Sequence, residues 1–193
     1  IENVNAKFYL TTPSKSSLIA LQSSGIQPLT QNNNFTITVS ENTTYQTMDG
    51  FGYSLTGGSA QLINTMSPSA KNDLLEELFG TGENSIGVSY LRISIGASDL
   101  DASVFSYNDL PSGQTDINLD QFSIAPDLNN LIPVLTQIKA INPNIKILGS
   151  PWSAPTWMKT NQATIGGELQ TNYYATYANY FVKYIQAMQA NGI

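Results

Sequence analysis

The pattern of apolar and polar positions changes character near residue 47. Before it, short runs of alternating character at 7–10 and 35–39 predict strands, with polar residues between them. After it, apolar runs of strand length alternate with segments whose apolar positions recur at helical spacing. Strands that alternate with helices indicate a parallel sheet. We therefore expect two domains, with β strands in residues 1–47 and an α/β fold in residues 48–193.

Three strand–helix units are predicted in the second region. Ser67 followed by Pro68 is a typical N-cap and first helical residue, and Gly80 ends that helix. The predicted strands are 48–54, 88–95 and 145–149, and the predicted helices are 68–79, 126–142 and 171–190. The helix at 126–142 has Leu128, Leu131, Leu135 and Ile138 on one face, and the helix at 171–190 has Tyr177, Phe181, Tyr184, Ile185 and Met188 on one stripe.

Three units are too few to close an eight-stranded barrel. The last predicted strand would leave an open apolar edge, which is an aggregation hazard unless further chain covers it. The sequence ends at Ile193, where a fourth strand is expected. The pattern therefore predicts an α/β fold whose parallel sheet is incomplete, as in an incomplete (β/α)8 TIM barrel, and we expect these residues to be a piece of a larger protein.

Composition narrows the chemistry that this chain can perform. Its formal net charge is −6, which makes nucleic acid and anionic membrane surfaces poor partners. Cysteine and histidine are both absent, and this excludes thiol nucleophiles, Cys/His zinc sites and Ser-His-Asp triads in this chain. No apolar run approaches the roughly 18 residues of a membrane span. Any chemistry must therefore depend on carboxylates or on a metal held by oxygen.

The strand at 88–95 presents two different faces, because side chains alternate along a strand. Its apolar face suits packing beneath helices, and its polar face, which carries the only arginine of the chain, would point toward the axis of a barrel. An arginine inside a barrel needs a carboxylate partner. Arg92 therefore either forms a structural ion pair or orients an active-site carboxylate. The apolar face comprises Leu91, Ile93 and Ile95, and the polar face comprises Tyr90, Arg92 and Ser94.

Three residues beyond the strand ends are candidates for substrate contact. Asp99 follows the strand at 88–95, where barrel enzymes keep their functional groups, although an aspartate there could also cap a turn. Trp152 and Trp157, the only tryptophans, lie in one proline-containing loop after the strand at 145–149. An indole ring suits the C–H face of a pyranose, and its N–H can donate to a hydroxyl. The alternative for Trp157 is that its ring fills core space.

Two further patterns do not complete a metal or cofactor site. Residues 116–120 place Asp, Asn and Asp at the alternate positions that open a calcium-binding loop, but Gln121 and Asp127 stand where a glycine and a bidentate glutamate are needed. The glycine-rich stretch at 50–59 matches neither the dinucleotide fingerprint nor a phosphate-binding loop. We expect no metal and no cofactor.

Five segments, in order, carry a resemblance to a known family. They are DGFGYSLTGGSA at 49–60, YLRISIGASD at 90–99, FSYNDLP at 105–111, KILGSPWSAPTWMKTN at 146–161 and YFVKYIQAMQANGI at 180–193. Together they resemble glycoside hydrolase family 30, the group that contains glucosylceramidases and β-1,6-glucanases. The resemblance covers roughly residues 36–193.

This resemblance implies a (β/α)8 barrel with an appended β-sandwich, built partly from the residues before the barrel. It also implies a retaining glycosidase with two catalytic glutamates about 5 Å apart. Carried over by motif, Asp99 would bind glycone hydroxyls in the −1 subsite, Trp152 would line that subsite, and Arg92 would orient the nucleophile. Trp152 and Trp157 would both belong to a sugar-binding rim. The expected location is secreted, periplasmic or at the cell surface.

One departure from the family pattern concerns the catalytic pair. The family places its acid/base glutamate in an Asn-Glu-Pro motif at the end of the fourth strand, and its nucleophile further on; the 193 residues contain no such motif. We therefore expect both glutamates after Ile193, in the same polypeptide or a second chain, and no activity from this chain alone. The expected substrate is a β-glucoside or β-glucan, either β-1,6-glucan or a glucosylceramide-like compound. A non-catalytic carbohydrate-binding fragment and one half of a split or nicked enzyme remain alternatives.

Overall fold

A computed structural model of the chain describes residues 7–22, 38 and 40–193. The chain divides into two compact units, Ile1–Gln46 and Thr47–Ile193. The second unit contains the sheet and the helices that position the candidate site.

The first unit contains a small antiparallel pair of strands. In it β1 (Tyr9–Leu10) pairs with β2 (Ala20–Leu21), and the amide of Gln22 extends the pairing by donating to the carbonyl of Phe8 at 2.8 Å. The strand predicted at 7–10 is thus present over its last two residues. The strand predicted at 35–39 falls, apart from Thr38, outside the described residues.

The second unit contains a parallel sheet of β3 (Gly52–Leu55), β4 (Tyr90–Ile95) and β5 (Lys146–Pro151), with β4 in the centre. Helices follow every strand, so the predicted parallel sheet with three strand–helix units is confirmed. The helices are α1 (Gly57–Thr65) and α2 (Pro68–Phe79) after β3, α3 (Leu131–Ile141) after β4 and α4 (Tyr174–Ala190) after β5, and single 3-10 turns occur at Ala125–Asp127, Thr156–Met158 and Thr171–Tyr173.

One side of β4 is completely covered. Leu91, Ile93 and Ile95 are at most 6% exposed and belong to a core cluster with α2 and α3. Burying an aliphatic side chain of this size stabilises a fold by about 1.5–3 kcal/mol relative to leaving it exposed. The predicted division of the strand into an apolar covered face and a polar face is confirmed. The helices contribute Leu75 and Phe79 from α2, and Val134, Leu135 and Ile138 from α3.

Helix α2 begins and ends where the sequence predicts. The hydroxyl of Ser67 accepts a hydrogen bond from the amide of Ala70 at 3.3 Å, and Pro68 is the first helical residue. Gly80 follows the last helical residue, and its amide donates to the carbonyl of Glu76 at 3.0 Å. The cap residues therefore satisfy groups that a helix end leaves unpaired.

Helix α1 is an element that the sequence analysis did not predict. It begins with Gly57 and Gly58, and glycine costs about 1 kcal/mol relative to alanine inside a helix. Thr56 compensates as an N-cap, because its hydroxyl accepts from the amide of Ser59 at 3.1 Å. The burial of Ala60, which is 0% exposed, fixes the helix against the core.

The predicted start of the second helix at Pro126 is wrong, because α3 begins at Leu131. Pro133 cannot donate a helical hydrogen bond, and its ring would collide with the carbonyl of residue 129, so it is tolerated only in the first turn. The preceding residues form a 3-10 turn, and Leu128, which was assigned to the apolar face, is 44% exposed.

The third predicted helix divides into a 3-10 turn, Thr171–Tyr173, and α4. The buried face of α4 is rotated about the helix axis relative to the predicted apolar face. Tyr180 is 1% exposed, whereas Ile185, assigned to the stripe, is 54% exposed. Tyr184 and Met188 are buried as predicted.

Candidate functional site

The polar side of the sheet carries a row of hydrogen-bonding groups across all three strands. Arg92 lies on the central strand β4, and its register partner on β3 is Ser54. Its two terminal nitrogens donate to the hydroxyls of Ser54 at 3.3 Å and of Ser150 on β5 at 3.1 Å. The guanidinium is exposed, and among the described residues it has no carboxylate partner. The ion pair that one interpretation required is therefore absent from the described part of the chain.

Asp99 lies in the turn that follows β4, and its carboxylate is exposed. The turn is closed by a different residue, Asp101, whose carboxylate accepts from the amide and the hydroxyl of Ser98 at 2.7 and 2.9 Å. Asp99 itself makes no hydrogen bond or ion pair with the described residues. The turn-capping alternative for Asp99 thus applies to Asp101, and the carboxylate of Asp99 is available to a ligand.

The start of α1 packs tightly against this turn, which the sequence analysis missed. A Cβ atom on Gly57 would lie 1.9 Å from Oδ1 of Asp101, and one on Gly58 would lie 2.0 Å from the carbonyl oxygen of Leu100. Only glycine permits such an approach. The pair of glycines after the Thr56 cap was the available signal, since it marks both a helix start and a close backbone contact.

Trp152 follows β5 and is half-buried beside an open cleft of about 280 Å³. Lys159 also lines the cleft and is 7% exposed. Its ammonium donates to the hydroxyl of Ser153 at 3.2 Å and to the carbonyl of Thr164 at 2.7 Å, and burial lowers the pKa of this lysine. These bonds connect three positions of the β5–α4 loop and stabilise the part of it that lines the cleft.

Trp157 occupies a different environment from Trp152. It is 8% exposed, and its indole N–H donates to the carbonyl and the side-chain oxygen of Asn108 at 3.0 and 3.1 Å. The ring of Tyr173 packs edge-to-face against it, with 5.0 Å between centroids. The structure therefore places most of this ring in the core, and its N–H is already engaged.

Two of the predicted site residues, Asp99 and Trp152, lie at one edge of the sheet, and the predicted residues do not share a single cavity. The carboxyl ends of parallel strands lie at the same edge, and Asp99 and Trp152 follow adjacent strands there. Arg92 is linked to β5 through Ser150, two residues before Trp152. Neither Arg92 nor Asp99 lines the cleft beside Trp152.

The connection between β4 and α3 contains a buried carboxylate, Asp127. The sequence analysis considered this residue only as a calcium ligand and rejected that role. Asp127 is 4% exposed and accepts a hydrogen bond from the hydroxyl of Tyr107, whose ring stacks on Tyr184 with centroids 5.6 Å apart. Burial raises the pKa of Asp127 to about 6; the bond from Tyr107 opposes this shift and the charge of Asp101 adds to it. Because Asp127 has no cation beside it, proton uptake is its means of neutralisation.

The acidic stretch at 116–120 is a hydrogen-bonded loop. The carboxylate of Asp116 accepts from the side-chain amide of Asn108 at 2.9 Å and from the amides of Asp120 and Gln121 at 2.9 and 2.8 Å. Burial raises the pKa of Asp116, but these bonds outweigh it and the net shift is downward. No group of three or more acidic side chains that could hold a metal occurs among the described residues. None of the helices in the described ranges is long and apolar enough to cross a membrane.

Comparison with known proteins assigns the chain to a family. A sequence model for the glycosyl hydrolase family 30 TIM-barrel domain matches residues 48–193. The chain therefore belongs to glycoside hydrolase family 30, as the five segments predicted, and the predicted enzyme class is that of its relatives.

Curated relatives come from both branches that the resemblance named. The chain is 37% identical over 152 residues to an endo-1,6-beta-D-glucanase of Neurospora crassa, covering 76% of this chain and 31% of that protein. It is 32% identical over 156 residues to the mouse lysosomal acid glucosylceramidase, covering 77% of this chain and 29% of that protein. The chain thus spans about a third of the length of the curated relatives that it matches.

Solved structures show the same fold. The endo-beta1,6-glucanase BT3312 superposes with a TM-score of 0.80 at 35% identity, over 97% of this chain and 40% of that one. SrfJ from Salmonella typhimurium superposes with a TM-score of 0.84 at 26% identity, over 96% of this chain and 41% of that one. The three strands described above are thus part of a TIM-barrel domain.

Proposed function

We propose that this chain supplies the wall of the −1 subsite of a retaining glycoside hydrolase that cleaves β-glucosidic linkages. The observation that carries the proposal is the arrangement on the adjacent strands β4 and β5. An exposed carboxylate and a half-buried indole follow their carboxyl ends, and an anchored guanidinium lies on the polar face of β4. They belong to Asp99, Trp152 and Arg92.

Asp99 binds the glycone hydroxyls in this proposal. Its carboxylate is unoccupied by the described residues, and sugar hydroxyls are donors that a carboxylate accepts with about 1.5–3 kcal/mol per bond. Asp101 and the glycines at the start of α1 fix the backbone of the turn from which this carboxylate projects.

Arg92 orients the nucleophilic glutamate. A guanidinium has five N–H donors, of which bonds to Ser54 and Ser150 use two and fix the plane of the group. The remaining donors face the open side of the sheet. Trp152 provides the apolar face against the sugar ring, and Trp157 supports the same rim from the core side.

The rest of the enzyme is proposed from family membership. The acid/base and nucleophile glutamates lie after Ile193, and the remaining strands of the barrel complete the site around Arg92. Residues 1–47 contribute strands to an appended β-sandwich, and residues 48–193 form the first part of the barrel. The chain alone is inactive in this proposal, because it lacks the Asn-Glu-Pro motif and has no glutamate at a catalytic position of the family. The glutamates considered are Glu76, Glu77, Glu83 and Glu168.

The substrate is a β-1,6-glucan or a glucosylceramide-like β-glucoside. The first assignment rests on the similarity to an endo-1,6-beta-D-glucanase and the second on the similarity to a lysosomal acid glucosylceramidase. A polymeric glucan cannot cross a membrane, and for that substrate we propose a secreted, periplasmic or cell-surface enzyme. No cofactor is needed, because two carboxylic acids suffice for retaining hydrolysis.

The test is the release of glucose from β-1,6-gluco-oligosaccharides, compared with glucosylceramide, by the complete protein. The Asp99→Asn variant keeps the shape of the side chain but removes its charge, and we expect kcat/KM to fall about 10- to 100-fold. Asp120→Asn is the matched control, because Asp120 is an exposed aspartate in the same β4–α3 connection.

Two results would overturn the proposal. One is a complete protein that releases glucose from neither substrate. The other is an Asp99→Asn variant whose kcat/KM equals that of the Asp120→Asn control.

A further inference from the structure

The β5–α4 loop lines a second pocket besides the cleft at Trp152. This pocket has a volume of about 330 Å³, which is within the range of ligand pockets, and shares no lining residue with that cleft. It forms between residues 110–115 of the β4–α3 connection and residues 156–173 of the next connection. The side chains that matter below are Gln114, Gln162, Gln170, Thr156, Trp157 and Tyr173.

Trp157, Tyr173 and Gln170 form what we call the floor of this pocket, and it is rigid. Trp157 is fixed by its two hydrogen bonds to Asn108 and by the ring of Tyr173. Gln170 is fixed by a bond from its side-chain amide to the carbonyl of Lys159 at 3.2 Å and by a bond from its backbone amide to the carbonyl of Met158 at 2.9 Å. A fixed aromatic floor loses little conformational entropy on binding a ligand.

The walls offer neutral hydrogen-bonding groups and no charge. The side-chain amides of Gln114 and Gln162 make no hydrogen bond with the described residues, and each can donate and accept. No acidic or basic residue lines the pocket. Uncharged amides and hydroxyls above an aromatic floor are complementary to a neutral, polyhydroxylated ring.

The backbone at Gln162, which lines the pocket, is in a strained conformation. Its φ is 49°, in the left-handed region that a non-glycine residue adopts at a cost of about 1–3 kcal/mol. The strain is retained although the loop is exposed, and the neighbouring Asn161 holds it by donating to the carbonyl of Ile165 at 2.8 Å. Strain kept at an exposed position is typical of ligand contacts.

We propose that this pocket is an accessory subsite for a second glucosyl unit of the β-glucan chain, apart from the glycone site at Asp99 and Trp152. The inference rests on the proposed function, because it takes the same substrate. A glucan that occupies both sites binds more tightly than one that occupies a single site, because its glucosyl units are covalently linked. The ratio of its affinity to that of a short oligosaccharide therefore measures the contribution of the second site.

The test measures the affinities of a β-1,6-linked glucose disaccharide and hexasaccharide for the complete protein by titration calorimetry. Gln162→Gly removes the amide and relieves the backbone, because glycine adopts positive φ without strain. We expect its melting temperature to be unchanged or raised and its affinity for the hexasaccharide to fall about two- to tenfold. Gln114→Ala should lower the affinity similarly, and the double variant should lose the preference for the longer ligand.

The matched control is Gln121→Ala, an exposed glutamine of the β4–α3 connection that does not line the pocket. If both pocket variants bind the hexasaccharide as the control does, while the wild type still hydrolyses β-glucosides, the accessory subsite is refuted and the proposed function stands. If the wild type neither binds nor hydrolyses any of these ligands, both proposals fall.

Discussion

The two sides of strand β4 differ in burial and in chemistry. Leu91 is 0% exposed and packs in the core, whereas the next residue, Arg92, is exposed and bonds only to the hydroxyls of Ser54 and Ser150. Helices α2 and α3 cover the first side. The difference indicates that one side of the strand stabilises the fold and the other carries the chemistry, so that substitutions one residue apart should have opposite consequences.

The largest expected effect is on the covered side. Leu91→Ala removes a fully buried side chain from between the sheet and the helices, and we expect the free energy of unfolding to fall by about 3–5 kcal/mol. Urea denaturation of the complete protein measures it. The same change at Leu62, which is 70% exposed on α1, should cost less than about 1 kcal/mol. Equal losses in the two variants would contradict the assignment of the core.

The open side should show the reverse behaviour. Arg92→Ala should lower kcat/KM of the complete protein by about 100-fold through loss of nucleophile orientation. It should lower the free energy of unfolding less than Leu91→Ala does, because Arg92 is not part of the apolar core. Steady-state hydrolysis and urea denaturation of the same variant provide both numbers. Arg92→Lys keeps the charge but not the paired bonds to the two serines, and it should recover only part of the rate. A destabilised but fully active Arg92→Ala variant would reverse the comparison.

Asp127 is a buried acidic residue. The pH dependence of its contribution to stability gives a further test of the difference between buried and exposed positions. Its folded-state pKa of about 6 exceeds the ordinary 3.8, so the folded protein holds an extra proton between about pH 4 and pH 6. The free energy of unfolding therefore falls as pH rises across that window. Above about pH 6 the protein bears the full cost of ionising this buried carboxyl group. Besides Tyr107, the charge of Asp101 and the rings of Tyr180 and Tyr184 face this region.

Asp127→Asn should remove this penalty while keeping an acceptor for the hydroxyl of Tyr107. We expect the variant to gain about 2–3 kcal/mol relative to wild type between pH 4.5 and pH 7, as measured by urea denaturation at each pH. Asp120→Asn, at an exposed position, should show no such pH-dependent difference. A difference between Asp127→Asn and wild type that stays constant with pH would show that the carboxylate is ionised throughout.

How far the sequence could predict these features depends on whether local signals or tertiary contacts decide them. The alternation along β4 and the cap of α2 depend on neighbouring residues alone, and both were predicted correctly. The start of α3 was also encoded locally, by Pro133, but apolar spacing at Leu128 suggested an earlier start. Helix α1 and the buried position of Tyr180 depend on contacts distant in sequence, such as that of Gly57 with Asp101, which no periodicity shows.

The site shows the same limit. Asp99, Arg92 and Trp152 could be singled out because parallel strands place their carboxyl ends at one edge. That Asp101 rather than Asp99 closes the turn follows from its distances to Ser98 and could not be read from two aspartates two positions apart. The pocket at Gln162 also escaped prediction, since it depends on two loops that meet only in the fold.

The two tryptophans of the loop after β5 differ in the same way, one being buried and the other lining an open cleft. The changes in stability and binding that we expect from substituting them are smaller. Trp157→Phe removes the N–H that bonds to Asn108, which is 1% exposed, and a buried acceptor left unpaired costs about 1–3 kcal/mol. Trp152→Phe, in an open cleft, should change the free energy of unfolding by no more than about 0.5 kcal/mol and should instead weaken the binding of β-1,6-gluco-oligosaccharides. Urea denaturation and titration calorimetry on the same two variants separate these outcomes. If Trp152→Phe is the more destabilising and binds oligosaccharide as wild type does, Trp152 packs in the core of the complete protein, and the rim of the sugar site lies elsewhere.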